Sequence, residues 1–136
     1  MAIQYFRQCL PLSPGNWKYL REIGCCLTQM GNYSRGYWFL KYAARLHPED
    51  PGALLVIADN RISAGRPDEA AAYIDQFVRV IGVENIETVL VKISKNPMAV
   101  PVFFKGMAAL ISQNIRDRSE KYSNVAERLT KLFASN

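Results

Sequence analysis

Two glycines and two prolines recur at one interval: Gly31 is followed by Gly65 and Pro14 by Pro48, each 34 residues later. A fixed period of that length marks stacked helix pairs, in which each unit buries its apolar face against its neighbours, rather than a closed globule. The period delimits a unit from Trp17 to Asp50, WKYLREIGCCLTQMGNYSRGYWFLKYAARLHPED. Inside it Leu20, Ile23, Gly24, Leu27 and Met30 fall at i, i+3, i+4, i+7 and i+10, one apolar stripe of a helix from Trp17 to Met30 that Asn16 is placed to cap. Gly31 permits the left-handed turn that ends the helix, Asn32 is placed to cap the next one, and Gly36, Phe39, Leu40, Ala43 and Leu46 form the answering stripe. Gly24 and Gly36 stand inside helices, where glycine costs roughly 0.5–1 kcal/mol relative to alanine, so two of them in facing stripes predict a close crossing.

The second copy follows the same grammar. Asp50 caps, Pro51 takes the first helical position, and Leu54, Ile57, Ala58 and Ala64 make the stripe before Gly65. Pro67 opens the partner helix, with Asp68 and Glu69 in its first turn and Ala70, Tyr73, Ile74, Phe77, Val78 and Ile81 on its apolar face. Upstream, Ala2, Phe6, Cys9 and Leu10 have helical spacing and Leu12-Ser13-Pro14 closes that segment as Leu46-His47-Pro48 closes the later one. Residues 2–16 thus read as the second half of a repeat, whose open apolar flank calls for a second copy, another chain, or the rest of a longer protein. Beyond Gly82, Ile86, Val89, Leu90 and Ile93 make a stripe closed by Asn96-Pro97. Val102, Phe103, Met107, Leu110 and Ile111 mark a buried helix from Met98 to Gln113. Asp117 and Glu120 can form a capping box for a last helix carrying Tyr122, Val125, Ala126, Leu129, Leu132 and Phe133, with Arg118, Lys121, Arg128 and Lys131 outside. A terminal helix with a polar outer face is the usual cover for the open end of a stack.

Taken together, Leu20, Ile23, Gly24, Leu27, Gly31, Tyr33, Gly36, Leu40, Ala43 and Pro48 in the first full unit, and Leu54, Ile57, Ala58, Gly65, Ala70, Ile74 and Phe77 in the second, resemble the tetratricopeptide repeat family. The likeness covers about residues 2–82 and departs at Arg61, where an apolar or aromatic residue is usual, and at Gly82 in place of the closing proline. It implies an all-α fold of antiparallel helix hairpins stacked as a right-handed superhelix with a C-terminal capping helix. The expected division is a half repeat at 2–16, repeats at 17–50 and 51–84, and a degenerate hairpin plus capping helix at 85–136. All of it forms one domain, for which 136 residues at 49% hydrophobic content suffice.

The chemistry follows from what converges and what does not. The single histidine, His47, falls in a loop expected to face solvent, the acids are spread as caps and surface charges, and no phosphate loop, dinucleotide, zinc-protease or nucleophile-elbow motif occurs. No catalytic, cofactor or metal residues are therefore assigned. Cys9, Cys25 and Cys26 lack C-x-x-C spacing and read as reduced, packed thiols of a cytoplasmic protein. The start has no signal-peptide order, and the longest apolar run, Met98 to Ile111, is broken by Pro101 and Lys105, so no membrane insertion is expected.

A binding surface is easier to place. Opposite the apolar stripe of the first helix lie Lys18, Arg21, Cys25 and Thr28, and Leu55, Asp59 and Ile62 occupy the equivalent side of the next repeat's first helix. The family resemblance makes this side a concave groove, suited to a peptide or helix with acidic and apolar residues. Some relatives in that family grip a chaperone's C-terminal carboxylate with lysine and asparagine. Arg21 can replace the lysine, but Cys25 and Val56 stand where the asparagines belong, so that ligand is not expected. A secondary surface is Trp38 with Tyr42, i and i+4 on the outer side of their helix beside Lys41 and Arg45, unless the pair packs against Tyr5. The expected function is a protein-interaction scaffold or chaperone-like adaptor. The alternative is a nucleic-acid-binding helical repeat, for which the net charge of +5 is spread thin: nine cations against seven acids in residues 1–82, eight against five in 83–136.

Overall fold

The periodic stripes are realised as helices. In a computed structural model of the chain, residues 17–48, 50, 52–95 and 104–132 are described. They form α1 (Trp17–Gln29), α2 (Tyr33–Leu46), α3 (Gly52–Ser63), α4 (Pro67–Ile81), α5 (Ile86–Ser94), α6 (Phe104–Arg118) and α7 (Ser123–Leu132), with 3-10 turns at Val83–Asn85 and Glu120–Tyr122. The half repeat at 2–16, the Asn16 cap, Pro51, the start of the helix expected from Met98, and Phe133 lie outside the described residues.

The 34-residue period is visible in the hydrogen bonds of the turns. After α1, the Gly31 N–H donates to the Thr28 carbonyl and the Asn32 N–H to the Leu27 carbonyl. After α3, Gly65 donates to Ile62 and Arg66 to Arg61, the same pair of bonds one period on. Both satisfy the orphan carbonyls of a helix end and need a left-handed residue, which Gly31 (φ 85°) and Gly65 (φ 76°) supply. Each turn produces a hairpin, α1 with α2 and α3 with α4, and α2 lies on α3 to stack one hairpin on the next.

Gly24 and Gly36 mark the closest approach of the first hairpin. A Cβ on Gly36 would stand 2.7 Å from Thr28 Oγ1 and 3.0 Å from the Gly24 carbonyl oxygen, and one on Gly24 would stand 2.6 Å from Leu40 Cγ. The expected crossing is there, and the lost helix propensity is offset by backbones that touch.

The start signals fare unevenly. Asp50 Oδ1 accepts from the Gly52 N–H at 3.0 Å, the expected cap, and Pro67 opens α4 with Asp68 and Glu69 behind it. Asn32 occupies the cap position of α2 without a side-chain capping bond. The expected box of Asp117 and Glu120 does not form: Asp117 belongs to α6, and Ser119 takes the capping role, accepting from the Lys121 N–H. Leu46 and Leu110, both expected in buried stripes, are exposed.

In the second half, α6 packs chiefly on α7 and on α4, and α5 lies beside α4. The core here is apolar: Phe77 and Val78 from α4, Ile86 and Leu90 from α5, Met107, Ile111 and Ile115 from α6, and Leu129 from α7. Two cations expected on the outer face of the last segments turn back to the body. Arg118 pairs with Asp75 of α4 at 2.6 Å, and Arg128 makes a two-pronged bond to Glu87 of α5 at 2.7 and 3.1 Å.

Candidate functional site

α3 is buried nearly all round, from Leu55 through Arg61 without a break, because the run Leu54-Leu55-Val56-Ile57-Ala58 has no polar face to offer water. The enclosed stretch from Leu55 to Arg61 cannot line an open groove. Four of the seven residues expected there are accordingly buried: Arg21, Thr28, Leu55 and Asp59. Cys25 is half-buried, Lys18 is exposed, and Ile62 is half-buried near the end of α3. The faces of α1 and α3 that were read as a concave wall meet each other.

What fills that meeting is a polar seam. Asn60, wholly buried, donates from Nδ2 to Thr28 Oγ1 of α1 at 2.8 Å and to the Tyr33 carbonyl of α2 at 3.1 Å. Its Oδ1 accepts from Arg61 Nε and Nη2 at 2.9 and 2.6 Å. Thr28 passes its own hydroxyl proton to the Gly24 carbonyl. The Arg61 guanidinium lies 3.7 Å from the centroid of the Tyr37 ring and reaches Glu69 of α4 at 3.5 Å, while the Tyr37 and Tyr73 hydroxyls are 2.6 Å apart. Burial and that hydroxyl contact push the Tyr73 phenol up to about 12. The seam therefore connects α1, α2, α3 and α4. Arg61, the departure from the family pattern, is its charged member; Asn60 was missed because it lies within an otherwise apolar helix.

A second polar cluster closes the other end of α1. Arg21 pairs with Asp50 at 2.6 Å and lies over the Trp17 ring, which stacks flat on His47 at 4.1 Å. His47, expected to face solvent, is thus a wall of the fold. The cavity these residues share with Leu40 and Val56 measures about 10 Å³, room for no more than a water-sized guest. Cys25 and Cys26 are free thiols, and burial first, with Glu22 second, pushes Cys25 up to about 12, so it is held as a thiol and not as a nucleophilic thiolate. Among the described residues no group of three or more His, Cys, Asp or Glu is placed to hold a metal ion, and no helix is long and apolar enough to cross a membrane.

An open, largely apolar concavity lies elsewhere, between α4 and α6, and a wider, more polar one of about 520 Å³ lies beside Arg79, Glu84, Arg118 and Lys121. In the apolar one, Ile62, Pro67, Ala70, Ala71 and Ile74 form one wall and floor, and Leu110, Gln113, Asn114 and Asp117 form the other wall, around about 210 Å³. Leu110 stands 42% exposed above it. The polar rim is braced: Gln113 donates to Asp117 at 2.8 Å and Asn114 to Asp75 at 3.3 Å. Of the residues expected to bind a partner, Ile62 alone borders this groove. The α6 wall could not be read from spacing, because Leu110 shares its helix with truly buried Met107 and Ile111. On the far side of the first hairpin, Trp38 and Tyr42 are 59% and 40% exposed with rings 5.5 Å apart. Compared with known proteins, the chain matches no family model and no curated protein.

Proposed function

We propose that this chain is a protein-interaction module of tetratricopeptide type, a scaffold or adaptor that seats an apolar segment of a partner protein in the groove between α4 and α6. The observation that carries the reading is the open apolar channel under Leu110. Covering such a leucine returns roughly 1.5–3 kcal/mol, and the fixed amides and carboxylate on one rim supply hydrogen bonds that set the partner's register. A helix or extended peptide with aliphatic residues on one side and donors beside them fits the channel. The paired hairpins with their common turn bonds and 34-residue period support the family reading. The free thiols of Cys25 and Cys26 suit a cytoplasmic setting.

Against a nucleic-acid role stands the use of the cations. Arg21, Arg61, Arg66, Arg79, Arg118, Arg128 and Lys131 are each paired with a carboxylate, so these seven are not free to meet a phosphate backbone.

The test is a photo-crosslinking amino acid placed at Leu110, with a second placed at exposed Lys92 as control. In source cells the probe at position 110 is expected to capture one defined segment of one protein, and Ala71→Glu is expected to abolish that product while leaving the melting temperature within the range of ordinary surface substitutions. Equal products from positions 110 and 92, or capture that survives Ala71→Glu, would exclude the groove.

A further inference from the structure

α2 presents a face that the other described helices leave uncovered. At about 100° per residue, Arg35, Trp38, Lys41, Tyr42, Arg45 and Leu46 fall within an arc of roughly 140° on the helix. Every one of them is exposed, while Gly36, Leu40 and Ala43 on the opposite side are buried against the neighbouring helices. α2 contains no acidic residue. Arg35, Lys41 and Arg45 have no carboxylate partner among the described residues, in contrast to the seven paired cations named above. Trp38 packs its ring against Tyr42 and edge-on against Phe39 at 4.9 Å, so the aromatics pave a joined surface between the cations. Lys41 Nζ sits 4.7 Å from the Tyr37 ring centroid, which holds that charge close to the helix.

We propose that this face of α2 docks an acidic amphipathic segment of a partner protein, its carboxylates meeting Arg35, Lys41 and Arg45 and its apolar side chains covering Trp38 and Tyr42. Charge complementarity selects the occupant: three cations stand along about 15 Å of helix with no counter-charge among the described residues, and an exposed Trp–Tyr pair between them, desolvated once a partner covers it, is the composition of an interface hot spot. Two other anionic surfaces fit less well. A helix lying on a membrane separates its apolar face from its cationic one, whereas here both share a single arc. Single-stranded nucleic acid stacks bases on ring faces standing free of one another, whereas these rings lean together. The face lies on the first hairpin and the groove on α4 and α6, so the two surfaces are separate.

The experiment is a selection from a short random-peptide display library on the intact chain, with the Trp38→Ala/Arg45→Glu double variant as counter-selection. Enriched peptides are then measured by fluorescence anisotropy. They are expected to interleave Asp or Glu with aromatic or aliphatic residues, and to bind the double variant roughly tenfold or more weakly than the parent chain. Arg35→Glu with Arg45→Glu is expected to turn the preference towards basic peptides, and Ala71→Glu in the groove to change nothing. All the changed α2 side chains are exposed, and thermal melts of the variants check that the fold is intact. Peptides without acidic enrichment, peptides that bind the double variant as tightly as the parent, or tighter binding to a uridine oligonucleotide or to phosphatidylserine vesicles than to any selected peptide would overturn the assignment.

Discussion

Around Asn60, helices α1, α2 and α3 meet over two glycines, a threonine and a buried guanidinium; around Phe77, helices α4 to α7 meet over isoleucine, leucine and methionine, with Ser112 bonded back to its own helix. Both interfaces are closely packed, but they specify different things. An apolar core of this kind tolerates sliding and repacking so long as volume is kept, whereas hydrogen bonds and glycine contacts hold only at one register. The polar seam therefore fixes how the first hairpin sits on the second, and the apolar half supplies the burial that keeps the stack closed.

The largest effect that separates the two regions is expected from Phe77→Ala. Phe77 is fully buried at the centre of the apolar cluster, and its truncation costs about 3–5 kcal/mol through lost transfer energy and the cavity left behind. Chemical denaturation of parent and variant measures it. A loss under about 1 kcal/mol would mean that the second half is loosely packed and that the contrast with the seam is wrong.

Next comes the seam. Asn60→Leu keeps the volume but takes from Arg61 its nearest acceptor, leaving it Glu69 at 3.5 Å, and removes the side-chain donor from the Thr28 hydroxyl and the Tyr33 carbonyl, for about 1–3 kcal/mol. Adding Arg61→Leu removes the under-satisfied guanidinium, so the double variant is expected to be no less stable than the single one, a coupling readable in a double-mutant cycle. Simple additivity would show that the two side chains do not act as a unit.

The glycines give a finer distinction. Gly36→Ala drives its methyl against the Gly24 carbonyl and the bonded Thr28 hydroxyl, neither of which can swing away, for about 1–3 kcal/mol of overpacking. Gly24→Ala meets the buried Leu40 side chain at 2.6 Å (Cγ) and the Gly36 carbonyl at 3.1 Å. It is expected to be milder because its closest contacts are to a side chain and not to a carbonyl and a bonded hydroxyl, the gain in helix propensity of roughly 0.5–1 kcal/mol being common to both variants. Equal melting temperatures for the two variants would refute this reading of the crossing.

Much of the first half was legible because its constraints are local: Gly31 and Gly65 announce turns, Asp50 and Pro67 announce starts, and Gly24 with Gly36 announces a crossing. The groove was misplaced because exposure is a property of the stack and not of one helix. A stripe rule gives every helix a wet side, yet α3 has neighbours all round it, and the unbroken apolar run from Leu54 to Ala58 was the available sign. The α4–α6 channel arises from a helix pairing that carries no period, so spacing could not locate it. Trp38 and Tyr42 were found from composition alone, since an aromatic pair at i and i+4 beside cations is conspicuous on any face.

The smallest expected effects are in pH, and they tell the regions apart by sign. Burial raises Cys25 from 9.0 and Tyr73 from 10.0, each to about 12. For a group whose neutral form the fold favours, the stabilisation is complete below the unfolded value and is lost as pH rises towards the folded one. The seam, through Tyr73, is therefore expected to weaken between pH 10.0 and about 12, and the packing around Cys25 between pH 9.0 and about 12. Asp75 is the opposite case: hydrogen bonds from Asn114 and Arg79, with Arg118 beside them, lower it from 3.8, so its contribution to the α4–α6 contact is whole above that value and fades as pH falls below it. The carboxylate is open to solvent and screened, so the acid effect should stay within the 0–1 kcal/mol of surface pairs. Denaturation midpoints across both ranges for the parent, Tyr37→Phe and Asp75→Asn check the assignment, because each variant alters one region's contact and leaves the other's in place. Tyr37→Phe is expected to flatten the alkaline limb alone and Asp75→Asn the acid limb alone; a Tyr37→Phe curve parallel to the parent from pH 10.0 upward would remove the tyrosine pair from the seam.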